Sequence, residues 1–306
     1  MSKRIAMDDA LLRFGPYIAR TTSKLGSGNY GTVLAGMHAK TGAKIAVKIE
    51  PDGSGDADRA RQSARTRLSR EAEVYRDVDG FRGFPRMHWF GRAHGYIALV
   101  LDRLGPSMRE VHQESKLELD AHAVRHVGRE ALLRLEALHD AGWLHMDVKP
   151  ANLLLPRICG DDVTADESEP LLHLVDFGLS RRWTRAVELP PEPRRRRAVV
   201  GTGRFASLAN HEGEAPLGRR DDVESTLLSL AYLRLGRLPW TGLNAPTKRE
   251  RFALMLDSKR EVSIRELSVG MFDGFEAALT RVRALDAGER PPYEELRSML
   301  AKNIQV

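Results

Sequence analysis

Residues 144–154 read LHMDVKPANLL, and Asp176 follows twenty-four positions after Asn152 in the run VDFGLS. These two runs limit the fold more than anything else in the chain. Asp147, Lys149, Asn152 and Asp176 form a set of two carboxylates, an ammonium and an amide, each set among apolar neighbours. Such a set suits phosphoryl transfer, which asks for positioned charge and little covalent chemistry from the protein. Asp147 would accept or orient the proton of an attacking hydroxyl. Lys149 would neutralise charge on the transferred phosphoryl group. Asn152 and Asp176 would hold Mg²⁺ through oxygen, the ligand type that ion takes. His145 is expected to pack rather than to perform chemistry.

A second set lies upstream. Gly26, Gly28 and Gly31 fit G-x-G-x-x-G, with Val33 two residues further on. The motif alone is weak, and an ordinary glycine turn is the plainer alternative. A dinucleotide-binding turn has the same spacing but sits between a strand and a helix. Here the following residues, TVLAGMHAKTGAKIAVKIE, read as strand, turn and strand, which favours a hairpin lid over ATP. Lys48 stands in the apolar run IAVKIE, two residues after Ala46. ATP phosphates and a carboxylate would pair this lysine. Glu71 in LSREAEVY is the candidate carboxylate, with Glu73 on the same expected helix as its rival. The run YIALVLDRL (96–104) reads as a buried strand lining an adenine pocket. Leu101 would close the back of that pocket, and Asp102 and Leu104 would offer main-chain groups to the ring. Val33 and Ala46 join these as ATP-binding residues.

Strand patterns dominate up to about residue 104 and helical spacing dominates afterwards, which indicates an α+β chain. HAVRHVGREALLRLEALHDAG (122–142) and DDVESTLLSLAYLRLG (221–236) are the clearest helices, each ending at glycine. The 306 residues are read as a single domain, with an N-terminal lobe over 17–103 and a C-terminal lobe over 104–302. Residues 51–67, 156–170 and 190–197 read as loops. No apolar run reaches the length of a membrane span, and no signal peptide is expected from MSKRIAMDDALLRFG. The single Cys159 fits a reducing compartment, cytoplasmic or nuclear. A net charge of +6 favours acidic partners.

Taken together, the glycine run, the VK lysine, the catalytic-loop run and DFG resemble the protein kinases, and Lys149 in DVKPAN is the serine/threonine form. VGTGRFASLANHEGEAPLGRRDDVESTLLSLAYLRLGRLPWTGLNAPTKRERF (200–252) closely resembles the casein kinase 1 family. So do LDRLGPSM at 101–108 and PPYEELRSML near the end. The resemblance spans roughly residues 17–301. It implies a bilobal kinase fold with a small β-rich N-lobe and a larger helical C-lobe. It also implies ATP and Mg²⁺ as cofactors, and acidic or already phosphorylated protein substrates. The positions matching the family's anion site are Arg204, Gly242 and Arg251, and Arg197 assists. Asp222 is implied to accept hydrogen bonds from the catalytic loop, with Arg219 and Arg220 bracing it. A monomer without nucleic acid or membrane is expected. Met146 departs from the family, which carries arginine before the catalytic aspartate. That argues against switching through a phosphorylated loop. Three alternatives stay open: a vaccinia-related-kinase-like enzyme, a pseudokinase scaffold, and a nucleic-acid-associated protein using its Arg194–Arg197 run.

Overall fold

Along Lys44–Pro51 every second residue is buried: Ile45, Val47 and Ile49 point one way and the intervening residues the other. This period of two is the mark of a strand with one face on a core. In the computed structural model, residues 9–28, 31–52, 67–116, 119–157, 171–183, 198–213 and 216–301 are described. The chain divides into two compact units. The first holds residues 1–105 together with Asp176–Gly178, and the second holds the rest.

The first unit is a six-stranded sheet with one helix. Its strands are β1 (Leu11–Phe14), β2 (Tyr17–Gly28), β3 (Gly31–His38), β4 (Lys44–Pro51), β5 (Met87–Ala93) and β6 (Tyr96–Asp102). They run in the order β1-β2-β3-β4-β6-β5, each antiparallel to its neighbour. The sheet curls until its two edge strands approach. Phe14 of β1 lies 6.1 Å from the Trp89 ring and 6.0 Å from the His94 ring. His94 Nε2 also sits 3.1 Å from Arg13 N and 3.0 Å from Arg13 O, so its tautomer decides which main-chain group it bonds. Phe14, Leu34, Ile45, Val47, Ile49, Ala98 and Val100 fill the interior of the curl. Helix α1 (Arg67–Asp77) buries Leu68, Glu71, Ala72, Val74 and Tyr75, the stripe expected of an amphipathic helix.

The second unit is mostly helical. Helix α2 (Met108–Glu114) opens on a capping box between Ser107 and Glu110. Helix α3 (Ala121–Asp140) is capped by Asp120 and stops before Gly142, whose φ is 82°. Short pieces follow: β7 (Trp143–Leu144), a 3₁₀ turn at Pro150–Asn152, β8 (Leu153–Leu154), β9 (His173–Leu174) and β10 (Arg181–Arg182). Helices α4 (Leu208–Glu212), α5 (Arg219–Leu235), α6 (Lys248–Glu261), α7 (Ile264–Ser268), α8 (Phe275–Arg283) and α9 (Tyr293–Ala301) complete it. Every residue of α5 from Asp221 to Ala231 is buried, so this helix is the spine of the unit. Among the described residues no helix is long and apolar enough to cross a membrane.

The long helices and β4 and β6 fall where the sequence pattern puts them. Strands β1 and β5 do not stand out in the sequence. LLRF is too short to show a period, and MHWFGRA is half-buried along most of its length, with no alternation. Each pairs with one neighbour, β1 with β2 and β5 with β6, and curling brings the two edges into contact. Phe14→Ala is therefore expected to cost about 3–5 kcal/mol of stability. Exposed Leu11→Ala on the same strand should change it by less than about 0.5 kcal/mol. Urea unfolding of the two variants measures the difference.

Candidate functional site

Lys48 stands on β4, opposite Val33 on one side and Leu99 on the other. Its Nζ donates to Glu71 Oε2 at 2.7 Å and to Asp176 Oδ1 at 2.6 Å. Glu71 is 1% exposed, whereas Glu73 faces solvent, which settles the choice between them. Burial works against the Lys48 ammonium, but the two carboxylates outweigh it and hold its pKa well above the ordinary lysine value. Glu71 is deeper and shares its cation with Asp176. Burial pushes its carboxyl up to about 7 despite the lysine. Of the two acids, the better-buried one keeps its proton more readily.

Asp176 takes a left-handed φ of 69°, rare for a residue with a side chain. The next residue explains how this is held. Phe177 is fully buried, 4.9 Å from the Tyr75 ring and 6.1 Å from the Phe84 ring. Gly26 pairs with Val33 and Gly28 with Gly31 across the β2–β3 hairpin. Gly31 has a φ of 134°, and a Cβ there would lie 2.5 Å from Ile49 O. A glycine is thus needed at 31 for approach to β4, while Gly26 borders open space. Ala46 pairs with Leu101, and Asp102 ends β6. The Asp102 N–H is engaged by Arg86 O at 3.1 Å, so this main-chain donor is already spent within the sheet.

The second unit carries the other set. Asp147 Oδ2 accepts from Lys149 Nζ at 2.5 Å, and Asp147 Oδ1 accepts from Thr202 N at 2.7 Å. Lys149 Nζ also donates to Thr202 Oγ1 at 3.2 Å. Asn152 Nδ2 donates to Asp147 O at 2.9 Å. With its nitrogen committed, the Asn152 side chain has its amide oxygen left as a ligand, the kind Mg²⁺ takes. His145 is fully buried. Its Nδ1 accepts from Asp147 N at 3.2 Å, and its Nε2 lies 3.1 Å from Val175 O, a packing role as expected.

Asp222 organises this loop. Its Oδ2 accepts from His145 N at 2.7 Å and its Oδ1 from Met146 N at 2.8 Å. His139 Nε2 lies 3.0 Å from Oδ2. Burial alone would raise the Asp222 carboxyl, but the His139 contact and the main-chain donor hold it below the usual range. Met146, at φ 71°, buries its side chain beside Leu144, Leu179, Trp183, Val200 and Leu217. Where the kinase resemblance expects an arginine, this chain has an apolar contact. Arg219 stacks on the Trp183 ring at 3.7 Å, and Arg220 donates to Leu285 O.

Thr202 and Gly201 are site residues that motif reading does not single out. At Gly201, with φ 78°, a Cβ would lie 2.4 Å from Met146 O, so only glycine lets this turn reach the loop. The signal in the sequence is faint, a G-T-G step inside a longer run. Arg204 is half-buried, with its guanidinium 5.4 Å from the Tyr232 ring. Gly242 is exposed at φ 83° with open space around it, and Arg251 is exposed in the first part of α6. Arg197 and the Arg194–Arg197 run lie outside the described residues, as do most of 51–67 and 156–170.

The Glu71 shift gives a signed prediction. A carboxyl whose folded pKa is raised favours folding below about 4.5, and this contribution is lost as pH rises through about 7. Without added nucleotide or metal, wild type should lose stability relative to Glu71→Gln between pH 5 and pH 7.5. Urea unfolding at the two pH values checks it, and a parallel response in both proteins contradicts it.

The family model of the protein kinase domain matches residues 19–271. That span runs from β2 to the segment between α7 and α8 and takes in Lys48, Glu71, the 145–152 loop, Asp176 and Asp222. A curled antiparallel sheet followed by a helical region, with a paired strand lysine in the first and a braced aspartate loop in the second, is the arrangement such a kinase requires. On this match and this geometry, the chain belongs to the protein kinase domain family.

Proposed function

We propose that the chain is an active serine/threonine protein kinase of casein kinase 1 type, moving the γ-phosphoryl group of ATP to acidic or pre-phosphorylated proteins. The observation that carries the reading is the Asp147–Lys149–Thr202 cluster. Asp147 is 7% exposed and yet charge-paired, with one oxygen on Lys149 and the other on a main-chain N–H. A carboxylate fixed at both oxygens is positioned before substrate arrives, and such preorganisation supplies much of the catalysis in phosphoryl transfer.

Asp147 would orient the substrate hydroxyl and take its proton, and Lys149 would meet charge on the γ-phosphoryl group. Lys48, kept charged by its two carboxylates, would bind ATP phosphates under the Gly26, Gly28 and Gly31 hairpin. Val33, Ala46, Leu101, Asp102 and Leu104 would bind the rest of the nucleotide. Asp176 and Asn152 would each offer an oxygen to Mg²⁺, which would neutralise phosphate charge when bound. An intact set of these residues speaks for an enzyme rather than a pseudokinase scaffold. The buried Met146 supports activity that needs no loop phosphate, because packing rather than an arginine–phosphate pair holds the neighbouring residues.

The casein kinase 1 assignment rests on the 200–252 resemblance and on Arg204, Gly242 and Arg251. Guanidinium groups bind phosphate by charge and paired hydrogen bonds. Arg204 is steadied by Tyr232, and Arg251 is exposed for contact. The same reading takes the protein to be a monomer of the cytoplasm or nucleus.

Transfer from Mg-ATP to casein and to primed and unprimed serine peptides tests the proposal. Asp147→Asn should lower kcat by about 10²–10⁴-fold. Equal rates in mutant and wild type would overturn the kinase reading. Arg204→Ala and Arg251→Ala should each raise KM for the primed peptide by roughly tenfold and leave the unprimed peptide nearly unchanged. Equal effects on both peptides would remove the anion site.

A further inference from the structure

Lys259 is the most unusual charged residue outside the sites described above. It lies on α6, is 1% exposed, and makes no carboxylate ion pair among the described residues. A lysine is rarely buried this completely, since its ammonium forfeits hydration that an ion pair would replace. Here main chain takes that part. Nζ donates to Gly203 O at 3.0 Å and to Ala206 O, and it lies 3.2 Å from His211 Nδ1. The face of Trp240 is 5.1 Å away.

These acceptors belong to one turn. Phe205 N and Ala206 N both donate to Thr202 O, at 2.9 and 3.1 Å. Trp240 Nε1 donates to Arg204 O at 2.7 Å. Gly203 packs so closely under Phe252 that a Cβ would lie 2.8 Å from its ring. The carbonyls of Thr202, Gly203, Arg204 and Ala206 are therefore all engaged, two of them by Lys259. The first residue of the turn is Thr202, whose N–H and hydroxyl meet Asp147 and Lys149.

We infer that Lys259 is a positioning residue for phosphoryl transfer: its ammonium pins the 202–206 turn and so sets Thr202 against Asp147. The inference rests on the kinase reading for its catalytic consequence, though not for the pinning itself. Charge-assisted hydrogen bonds are about twice as strong as neutral ones, so the ammonium holds the turn better than an amine or an apolar chain. The charged and titratable groups around it are His211 of α4, Glu224 of α5 and Arg283 of α8. Burial pushes the lysine down to about 7 and Arg283 works in the same direction, while Glu224 opposes both. Glu224 is itself spent on Arg283, with Oε1 3.0 Å from Nε. Burial and Lys259 together push His211 down to about 4, so at neutral pH its ring is uncharged and can accept from the ammonium.

The test compares wild type with Lys259→Met, which keeps the stem and removes the charge, by amide hydrogen exchange over 198–206 and by initial rates with Mg-ATP and casein. Exchange of the 202–206 amides is expected to rise about tenfold or more. The kcat should fall by roughly 10–100-fold with KM for ATP within about twofold, the signature of a misplaced group rather than lost nucleotide binding. Lys259→Arg should recover part of both effects. Exchange and kcat both within twofold of wild type in Lys259→Met would overturn the inference. If Lys259→Met does not fold, wild type carries the test alone. Exchange at 202–206, corrected for its intrinsic pH dependence, must then rise between pH 6 and pH 9 as the ammonium is lost, and constant protection overturns the inference. Absence of phosphoryl transfer from wild type would instead refute the kinase reading, while the exchange arm still decides whether Lys259 holds the turn.

Discussion

A single buried carboxylate holds the 145–152 loop in shape. Asp222, 2% exposed on the spine helix, accepts the main-chain N–H groups of His145 and Met146 and faces His139. Those two amides belong to a stretch with no regular secondary structure, and Met146 has a left-handed backbone. Without the carboxylate they would be buried donors with no acceptor, a cost of about 1–3 kcal/mol each. With it, the next residue, Asp147, leaves the loop in a fixed direction. Asn152 then closes the loop from the far side by bonding Asp147 O. The central helix is thus more than a packing core, since the position of the candidate base is referred to it.

The two units hold charge in different ways. In the first, Lys48 is shared by two carboxylates, Glu71 and Asp176. In the second, charge is balanced locally around Asp147, and the nearby turn is held by a lysine bonded to carbonyls. Burying a charge without a countercharge is tolerated at Lys259 because three acceptors converge on one ammonium. Met146 shows the opposite solution. Where an arginine would need a phosphate or another anion, a thioether fills an apolar socket and needs no partner.

Much of this was legible in the residues. Lys48 inside an apolar strand demanded a carboxylate, and the helix that follows offered two. Periodicity could not choose between Glu71 and Glu73, because both lie on one short helix and only packing shows which face is inward. The aspartate loop and DFG run were legible because their chemistry is local in sequence. Thr202 was not, since its contact with Asp147 spans fifty-five residues and uses a main-chain N–H that every non-proline residue possesses. Strands β1 and β5 were hidden for a similar reason: each packs against the other edge of a curled sheet, a contact between residues far apart in sequence.

The sequence by itself determined the chemical inventory: which carboxylates, ammonium groups and glycines are present, and which segments bury a face as strand or helix. Side-chain type and local spacing are enough for that, since burial of apolar atoms follows the period of the backbone. Only the tertiary structure decided which buried groups meet. It gave Glu71 rather than Glu73 to Lys48, closed the sheet through Phe14 and Trp89, and turned Lys259 inward onto the carbonyls beside Thr202. Those outcomes depend on residues far apart in the chain satisfying one another's hydrogen bonds away from water, and no local pattern encodes the partner of a buried polar atom.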